Sequence, residues 1–404
     1  MPTALQPLSQ SSRDTSLDIL RGFALAGVLL TFCAGDIGSS ANYTNTFLDE
    51  AVKWTKYVLI ENRMYTMLII IFGIGFHVQL EKAKQKGVSI VPVFTRRLIG
   101  LLLIGFVHAI LLSTRDILMF YGIAGILLLL ARRATNRQLL LMMAIIFFVI
   151  APIVARLQHE GFKAFSLVQA NNYPDHLKHN WQFFTLYHRI YFIYGEMTFH
   201  FMLGVCIGRI GLLQKIQTNK KFRIRLLVFS LLGAGILIPA CYFWLDKVFD
   251  AFVVGLPSWQ RFLAVTLFRI VWMDLMLACV ALYAVTLISL WCSRKGRKWV
   301  RPLAPFGQMA LSNYLIQSII LVPYLLAFNK YNNMPPFNGF VLFVIVLAGQ
   351  LIFSRWWMSR YLMGPFEWLL RSFTYWRWQP LKKSPAIVKE YQPVFLIKNQ
   401  IKHL

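Results

Sequence analysis

The sequence is poor in charge. Only 14% of its 404 residues are Asp, Glu, Lys or Arg, where a soluble domain averages about 25%. So little charge cannot cover a water-facing surface of this size, so most of the surface is expected to meet lipid. Acidic residues are scarcer still, 16 against 42 basic ones, which leaves a net charge of +26. In a soluble chain that excess would point to nucleic acid. Here the basic residues fall in short runs between apolar stretches, the pattern of the positive-inside rule. Membrane lipid, through its anionic headgroups, is therefore the expected counter-charge, and no nucleic-acid partner is expected.

Other absences narrow the chemistry. The five cysteines, Cys33, Cys206, Cys241, Cys279 and Cys292, all lie inside or at the ends of apolar segments. No CxxC or Cys/His spacing accompanies them, so neither a disulfide framework nor a metal site is expected. A glycine-rich phosphate loop, a GxSxG elbow and an HExxH pair are also missing, which excludes several soluble-enzyme classes. Asp18 and Arg21 interrupt the first apolar run and no small-x-small site follows, so a cleaved leader is not expected.

What remains is apolar: 57% of residues are hydrophobic and the mean hydropathy is +0.56. Ten segments can be drawn, near 17–35, 60–80, 97–113, 116–131, 138–156, 190–210, 225–245, 262–291, 303–328 and 338–358. A helix needs about 20 residues to cross the hydrocarbon. With the N-terminus placed in the cytoplasm, alternate connections collect 30 of the 42 basic residues on the inner side. The expected fold is thus all-α, a polytopic transmembrane bundle of about ten helices with both termini inside. It reads as one integral membrane domain over 1–404, with an outer cap at 157–189 and a basic, Trp-rich interfacial tail at 363–404.

Ionisable residues inside such segments are costly and mark function by default. Counting about 1.5 Å per residue from the outer helix ends, Arg63 lies about 5 Å deep, His108 about 8 Å, Glu196 about 9 Å and Arg269 about 10 Å. His200 comes out near 15 Å and Asp274 near 18 Å. These residues share one slab of the outer half and are candidates for lining one cavity. Glu196 and His200 are four apart on one face, and Gly204 and Gly208 continue that face, which permits close approach of another helix. His108 and Asp116 invite an acid–base reading. Helical rise, however, sets Asp116 about 6 Å above His108 and puts Phe120 or Tyr121 level with His108 instead. A polar stripe over Gln308, Ser312, Asn313 and Gln317 reads either as interhelical glue or as a substrate contact.

Several stretches carry a family resemblance. They are Ser16-Leu17-Asp18-Ile19-Leu20-Arg21-Gly22-Phe23-Ala24, Arg63-Met64-Tyr65-Thr66 leading to Phe72-Gly73-Ile74-Gly75, and Gly105-Phe106-Val107-His108 with Asp116-Ile117-Leu118 and Tyr121-Gly122. Met309-Ala310-Leu311-Ser312-Asn313-Tyr314-Leu315-Ile316-Gln317 and Gly364-Pro365-Phe366-Glu367-Trp368 follow. In this order and spacing they resemble the YeiB-like family of bacterial membrane proteins, which is distantly similar to transmembrane acyltransferases, including heparan glucosaminide N-acetyltransferase. The resemblance implies an acyl group moved from a cytoplasmic acyl-CoA, acetyl-CoA for instance, to a small-molecule or glycan acceptor at the outer face of a bacterial inner membrane. The chain departs from those patterns in having no histidine at the outer end of its first helix, Arg115 before Asp116, and Gln308 after Gly307.

The leading expectation is accordingly an acyltransferase-like protein. His108 would be the base, with Asp116 and Tyr121 beside it. Arg63, Glu196, His200, Arg269, Asp274, Asn313 and Gln317 would serve the substrate, and Arg21, Arg96, Arg97 and Arg301 the phosphates of coenzyme A. The rival expectation is a proton- or ion-coupled transporter running through Glu196, His200, Arg269 and Asp274. A third is a membrane interaction protein whose polar residues only fasten helices.

Overall fold

The computed structural model describes residues 14–34, 46–113, 116–150, 172–191, 195–244, 258–328 and 334–383. Side chains are described throughout these except at 150, 186–191, 195–196, 240–244, 258–259 and 261–274. In chain order the helices are α1 (Thr15–Cys33), α2 (Phe47–Thr55), α3 (Arg63–Gln85), α4 (Val91–Leu111), α5 (Leu118–Leu130) and α6 (Asn136–Ile145). Next come α7 (Tyr173–Tyr191), α8 (Gly195–Arg209), α9 (Leu212–Thr218), α10 (Lys220–Trp244) and α11 (Ser258–Cys292). The last five are α12 (Arg294–Val300), α13 (Leu303–Gln308), α14 (Ala310–Ala327), α15 (Pro336–Arg360) and α16 (Pro365–Tyr375). Among the described residues the only extended pairing is an isolated bridge between Tyr361 and Lys382.

The protein is an all-α polytopic membrane bundle. Seven of the described helices are long and apolar enough to cross a bilayer, or eight if the bent pair Met197–Arg209 and Leu212–Thr218 is one span. Two of the ten expected segments fall short of that length as described. The fourth becomes the 13-residue α5, and the fifth the shorter apolar helix Asn136–Val149. Residues 157–171 of the expected cap and residues 384–404 of the expected tail lie outside the described residues.

Hydrophobicity is distributed as lipid requires. The central helix α1 is apolar on most faces and buried, with Ile19, Leu25, Val28 and Leu29 sealed inside. By contrast, α10 and α15 turn Phe229, Leu232, Ile236, Ile345 and Ile352 outward. Apolar exposure on that scale is expected of a surface facing acyl chains. Between helices, small residues set the closest approach. A Cβ on Gly73 of α3 would lie 2.2 Å from the Phe201 carbonyl oxygen, and one on Gly204 of α8 2.2 Å from that of Ile70. Glycine at both positions lets the two backbones touch, the packing that small residues permit in membranes.

Polar termini fix the helix ends. Asp14 caps α1 by accepting from the Ser16 backbone N–H at 2.9 Å. Thr46 and Asp49 form a capping box at α2. The second Asp49 oxygen accepts from the Phe337 N–H at 3.0 Å, which ties α2 to the start of α15. Finally α16, an amphipathic helix, lays Leu370 and Phe373 over Gly100 of α4. Trp376 and Trp378 remain exposed beside it, as suits a membrane interface.

Candidate active site

The site is built where α4 ends. His108 sits in its last turn, and the chain leaves helical geometry at once: the Leu112 and Ser113 N–H groups both donate to the His108 carbonyl, each at 2.9 Å. A helix terminus leaves carbonyls without partners. Here α7 supplies them. Asn180 donates to the Ile110 carbonyl at 3.0 Å and the Tyr173 hydroxyl to that of Leu111 at 3.1 Å. His176 Nε2 meets the Leu112 carbonyl at 3.0 Å. The end that carries His108 is thus pinned from outside.

That early exit from the helix brings Asp116 down to His108. Uninterrupted helical rise would hold the two about 6 Å apart in height, yet His108 Nδ1 and Asp116 Oδ1 are 2.9 Å apart. The expected height difference fails because rise per residue applies only while the helix lasts. Asp116 lies in a non-helical stretch before α5, and its Oδ2 accepts from the Met119 N–H at 2.7 Å, capping the new helix. Gly105 makes the room: a Cβ there would stand 2.6 Å from Asp116 Oδ2.

The other imidazole nitrogen completes a chain of three. His108 Nε2 is 2.8 Å from Ser318 Oγ on α14. All three residues are no more than 4% exposed. One turn earlier on α14, Tyr314 lays its ring 4.9 Å from the imidazole, and its hydroxyl accepts from the Ile117 N–H at 3.2 Å. With Asp116 accepting at Nδ1, the fitting tautomer carries its proton there and turns the Nε2 lone pair to Ser318.

A cavity of about 550 Å³ approaches this array from the opposite, basic end of the bundle. Its mouth is formed by Arg21, Arg97, Arg371, Gln79 and Glu367, and its deep wall by Phe72, Ile117, Tyr121 and Tyr314. Arg21 pairs with Asp18 at 3.0 Å. Arg97 stands over the Phe72 ring at 5.3 Å, and its buried Nε has no hydrogen-bond partner among the described residues. The Tyr121 hydroxyl on the deep wall is likewise buried and without a partner among them. Glu367 closes one side of the mouth: its carboxylate accepts from the Leu311 N–H at 2.6 Å, from the Ser312 N–H at 3.1 Å and from the Ser312 hydroxyl. Burial pushes its carboxyl above the ordinary range, and these hydrogen bonds pull the other way.

Residues 207–377 match the family described as protein of unknown function, DUF418. The chain is 26% identical to the uncharacterized protein YxaH of Bacillus subtilis (strain 168), over 95% of this chain and 100% of that one. It is 24% identical to the uncharacterized protein YeiB of Escherichia coli (strain K12), over 90% of this chain and 96% of that one. Over nearly its whole length the chain is thus similar to uncharacterized bacterial proteins of the YeiB kind. No solved structure matches it.

Not every sequence candidate gathers at the site. His108, Asp116 and Tyr121 lie together around Tyr314, and Arg21 and Arg97 share the cavity mouth. Arg96, which donates to the Pro92 carbonyl at 3.0 Å, is not on the cavity wall, nor is the exposed Arg301. Arg63 is buried and donates to the Tyr57 and Glu61 carbonyls, at 2.8 and 2.9 Å, closing the π-turn before α3. Asn313 and Gln317 bind helix to helix. Asn313 donates to Ser354 at 2.9 Å, Gln317 to Gln350 at 3.1 Å, and Gln350 back to the Asn313 carbonyl at 3.0 Å. His200 is buried with its ring 5.4 Å from that of Phe199. None of these four lines the cavity. The side chains of Glu196, Arg269 and Asp274 lie outside the described residues. Sequence reasoning missed Ser318, Tyr314 and Arg371. The available signal for Ser318 was its place one turn after Tyr314, at the end of the polar stripe.

Proposed function

We propose that this protein is a bacterial inner-membrane acyltransferase: an acyl-CoA enters the basic mouth from the cytoplasm, and its acyl group passes to a hydroxyl or amine at the far face. The observation that carries the reading is the imidazole of His108, oriented by Asp116 and packed at a tilt against the tyrosine that ends the cavity. His108 is the general base. Asp116 holds the ring in one tautomer and stabilises the imidazolium that forms when it takes a proton.

Length and charge agree with such a donor. Arg97 and His108 are eleven residues apart on one helix, so about 16 Å separates the mouth from the base. That is the order of an extended pantetheine arm. The cavity volume also falls within the ~300–1,000 Å³ usual for small-molecule sites. At the mouth, Arg21, Arg97 and Arg371 suit the phosphates, since planar guanidinium groups bind phosphate in a bidentate manner. On the deep wall, the Tyr121 hydroxyl is a donor for the acyl carbonyl oxygen, whose charge grows as the carbonyl is attacked.

Binding of acetyl-CoA to the purified protein tests this directly. Arg97→Met should weaken binding ~10–100-fold, the worth of one charge-assisted hydrogen bond. Lys295→Met, on the exposed surface, should leave it unchanged. Equal binding by wild type and Arg97→Met, or no binding by either, would count against the donor site.

A further inference from the structure

We propose that Ser318 is the nucleophile of the reaction and carries the acyl group as an ester between donor and acceptor. The inference rests on the acyltransferase reading and goes one step further, to the path of the acyl group. A general base must lie within hydrogen-bond reach of the proton it removes. The hydroxyl within reach of His108 Nε2 is that of Ser318, at 2.8 Å. For His108 to deprotonate an acceptor directly, Ser318 would first have to be displaced.

The placement of Ser318 is itself unusual for a structural serine. Inside a helix the hydroxyl commonly returns to the carbonyl one turn back, as Ser230 does to Leu226 and Ser289 to Val285, both at 2.7 Å. Ser318 instead has His108 as its hydrogen-bond partner. The order of contacts, carboxylate to Nδ1 and hydroxyl to Nε2, is that of an acyl-transfer triad, which is recognised by geometry and role and not by fold. Here it is assembled from α4, the turn after it and α14.

The steps balance. Ser318 Oγ attacks the thioester carbonyl as His108 Nε2 takes the hydroxyl proton. The carbon–sulfur bond breaks, and His108 gives that proton to the leaving thiolate, so coenzyme A departs as a free thiol. The acceptor hydroxyl or amine then attacks the serine ester, His108 takes its proton, and the proton returns to Ser318 Oγ as the ester bond breaks. The Tyr314 ring, one turn away on the same helix, stands between the cavity and the serine. The proposed step requires that ring to swing away from the Ile117 N–H, which its hydroxyl holds at 3.2 Å, so that the two are joined. A covalent relay also lets donor and acceptor be served in turn from opposite faces.

The test uses the full chain in lipid nanodiscs with acetyl-CoA and no acceptor. The expected result is a burst of one thiol per protein and an acetyl group on the peptide containing Ser318. Ser318→Ala should show neither, with thiol release slowed ~10³-fold and an unaltered size-exclusion profile. Ser318→Cys, which keeps the geometry, should accumulate a thioester cleaved by neutral hydroxylamine. Thiol release with no adduct on Ser318, or thiol release by Ser318→Ala at the wild-type rate, would overturn the nucleophile and leave His108 acting on the acceptor directly. Absence of both donor binding and thiol release would instead overturn the acyltransferase reading beneath it.

Discussion

Replacing Gly105 by alanine separates two opposing effects whose signs differ. Alanine is the better helix former, and on propensity alone the change in α4 should stabilise by about 0.5–1 kcal/mol. The site opposes this. The new Cβ would meet Asp116 Oδ2 at 2.6 Å, the Met119 nitrogen at 2.7 Å and Met119 Cγ at 2.8 Å, where ordinary contact starts near 3.4 Å. Two of the three obstacles are a carboxylate already bonded at both oxygens and a backbone amide, so neither yields freely. Relief needs a shift of ~0.8 Å, more than a close-packed interior absorbs without loss. Moved that far, Asp116 would draw away from the imidazole, from 2.9 Å to beyond the normal limit of about 3.2 Å. Overpacking costs about 1–3 kcal/mol, and a weakened charged hydrogen bond adds part of another ~1.5–3 kcal/mol. The net expectation is a loss of about 2 kcal/mol. Reversible unfolding in detergent, followed by tryptophan fluorescence, would measure it. Gly349→Ala on α15 is the control, because nothing stands within 4 Å of a Cβ there, and it should be neutral or stabilising. A Gly105→Ala variant as stable as that control would refute the packing described around Asp116.

Two further outcomes follow from charge. Because burial raises the Glu367 carboxyl in the folded protein, the folded state holds its proton more tightly than the unfolded one. Stability should therefore fall as pH rises through the window that begins at its ordinary value of 4.5. Thermal unfolding against pH should show that slope in wild type and a flatter one in Glu367→Gln; parallel curves would contradict it. Single cysteines introduced at 212–222 or 294–300 should resist a membrane-impermeant thiol reagent added outside intact cells, while those at 39–50 or 160–185 should react. Reaction at 294–300 would reverse the orientation taken from the basic loops.

How much of this was legible in the sequence depends on which residues decide each feature. The all-α membrane class was plain, since sparse charge and long apolar runs leave lipid as the only fitting solvent. The close approach at Gly204 was legible too, because residues four apart share a helix face whatever the partner. The contact of His108 with Asp116 was not. It depends on where α4 stops, and that is decided by Tyr173, His176 and Asn180 on a helix some sixty residues away in sequence. Depth along a helix also says nothing of direction around it. Arg63 shares a height with His108 but spends its guanidinium on two backbone carbonyls. The cavity escaped notice because Phe72, Leu101 and Ile117, which wall it, are the same residue types that fill the core.

Whether His108 is the base is decided by acyl transfer from acetyl-CoA by purified wild type and His108→Gln, measured as acceptor-dependent thiol release. Glutamine keeps much of the size of the ring and can still hydrogen-bond, but it cannot take a proton near neutral pH. Turnover should fall by about 10²–10⁴-fold, with the unfolding temperature and acetyl-CoA binding close to wild type. Turnover retained in His108→Gln, or a variant lost to misfolding while the folded remainder works at full rate, would contradict it.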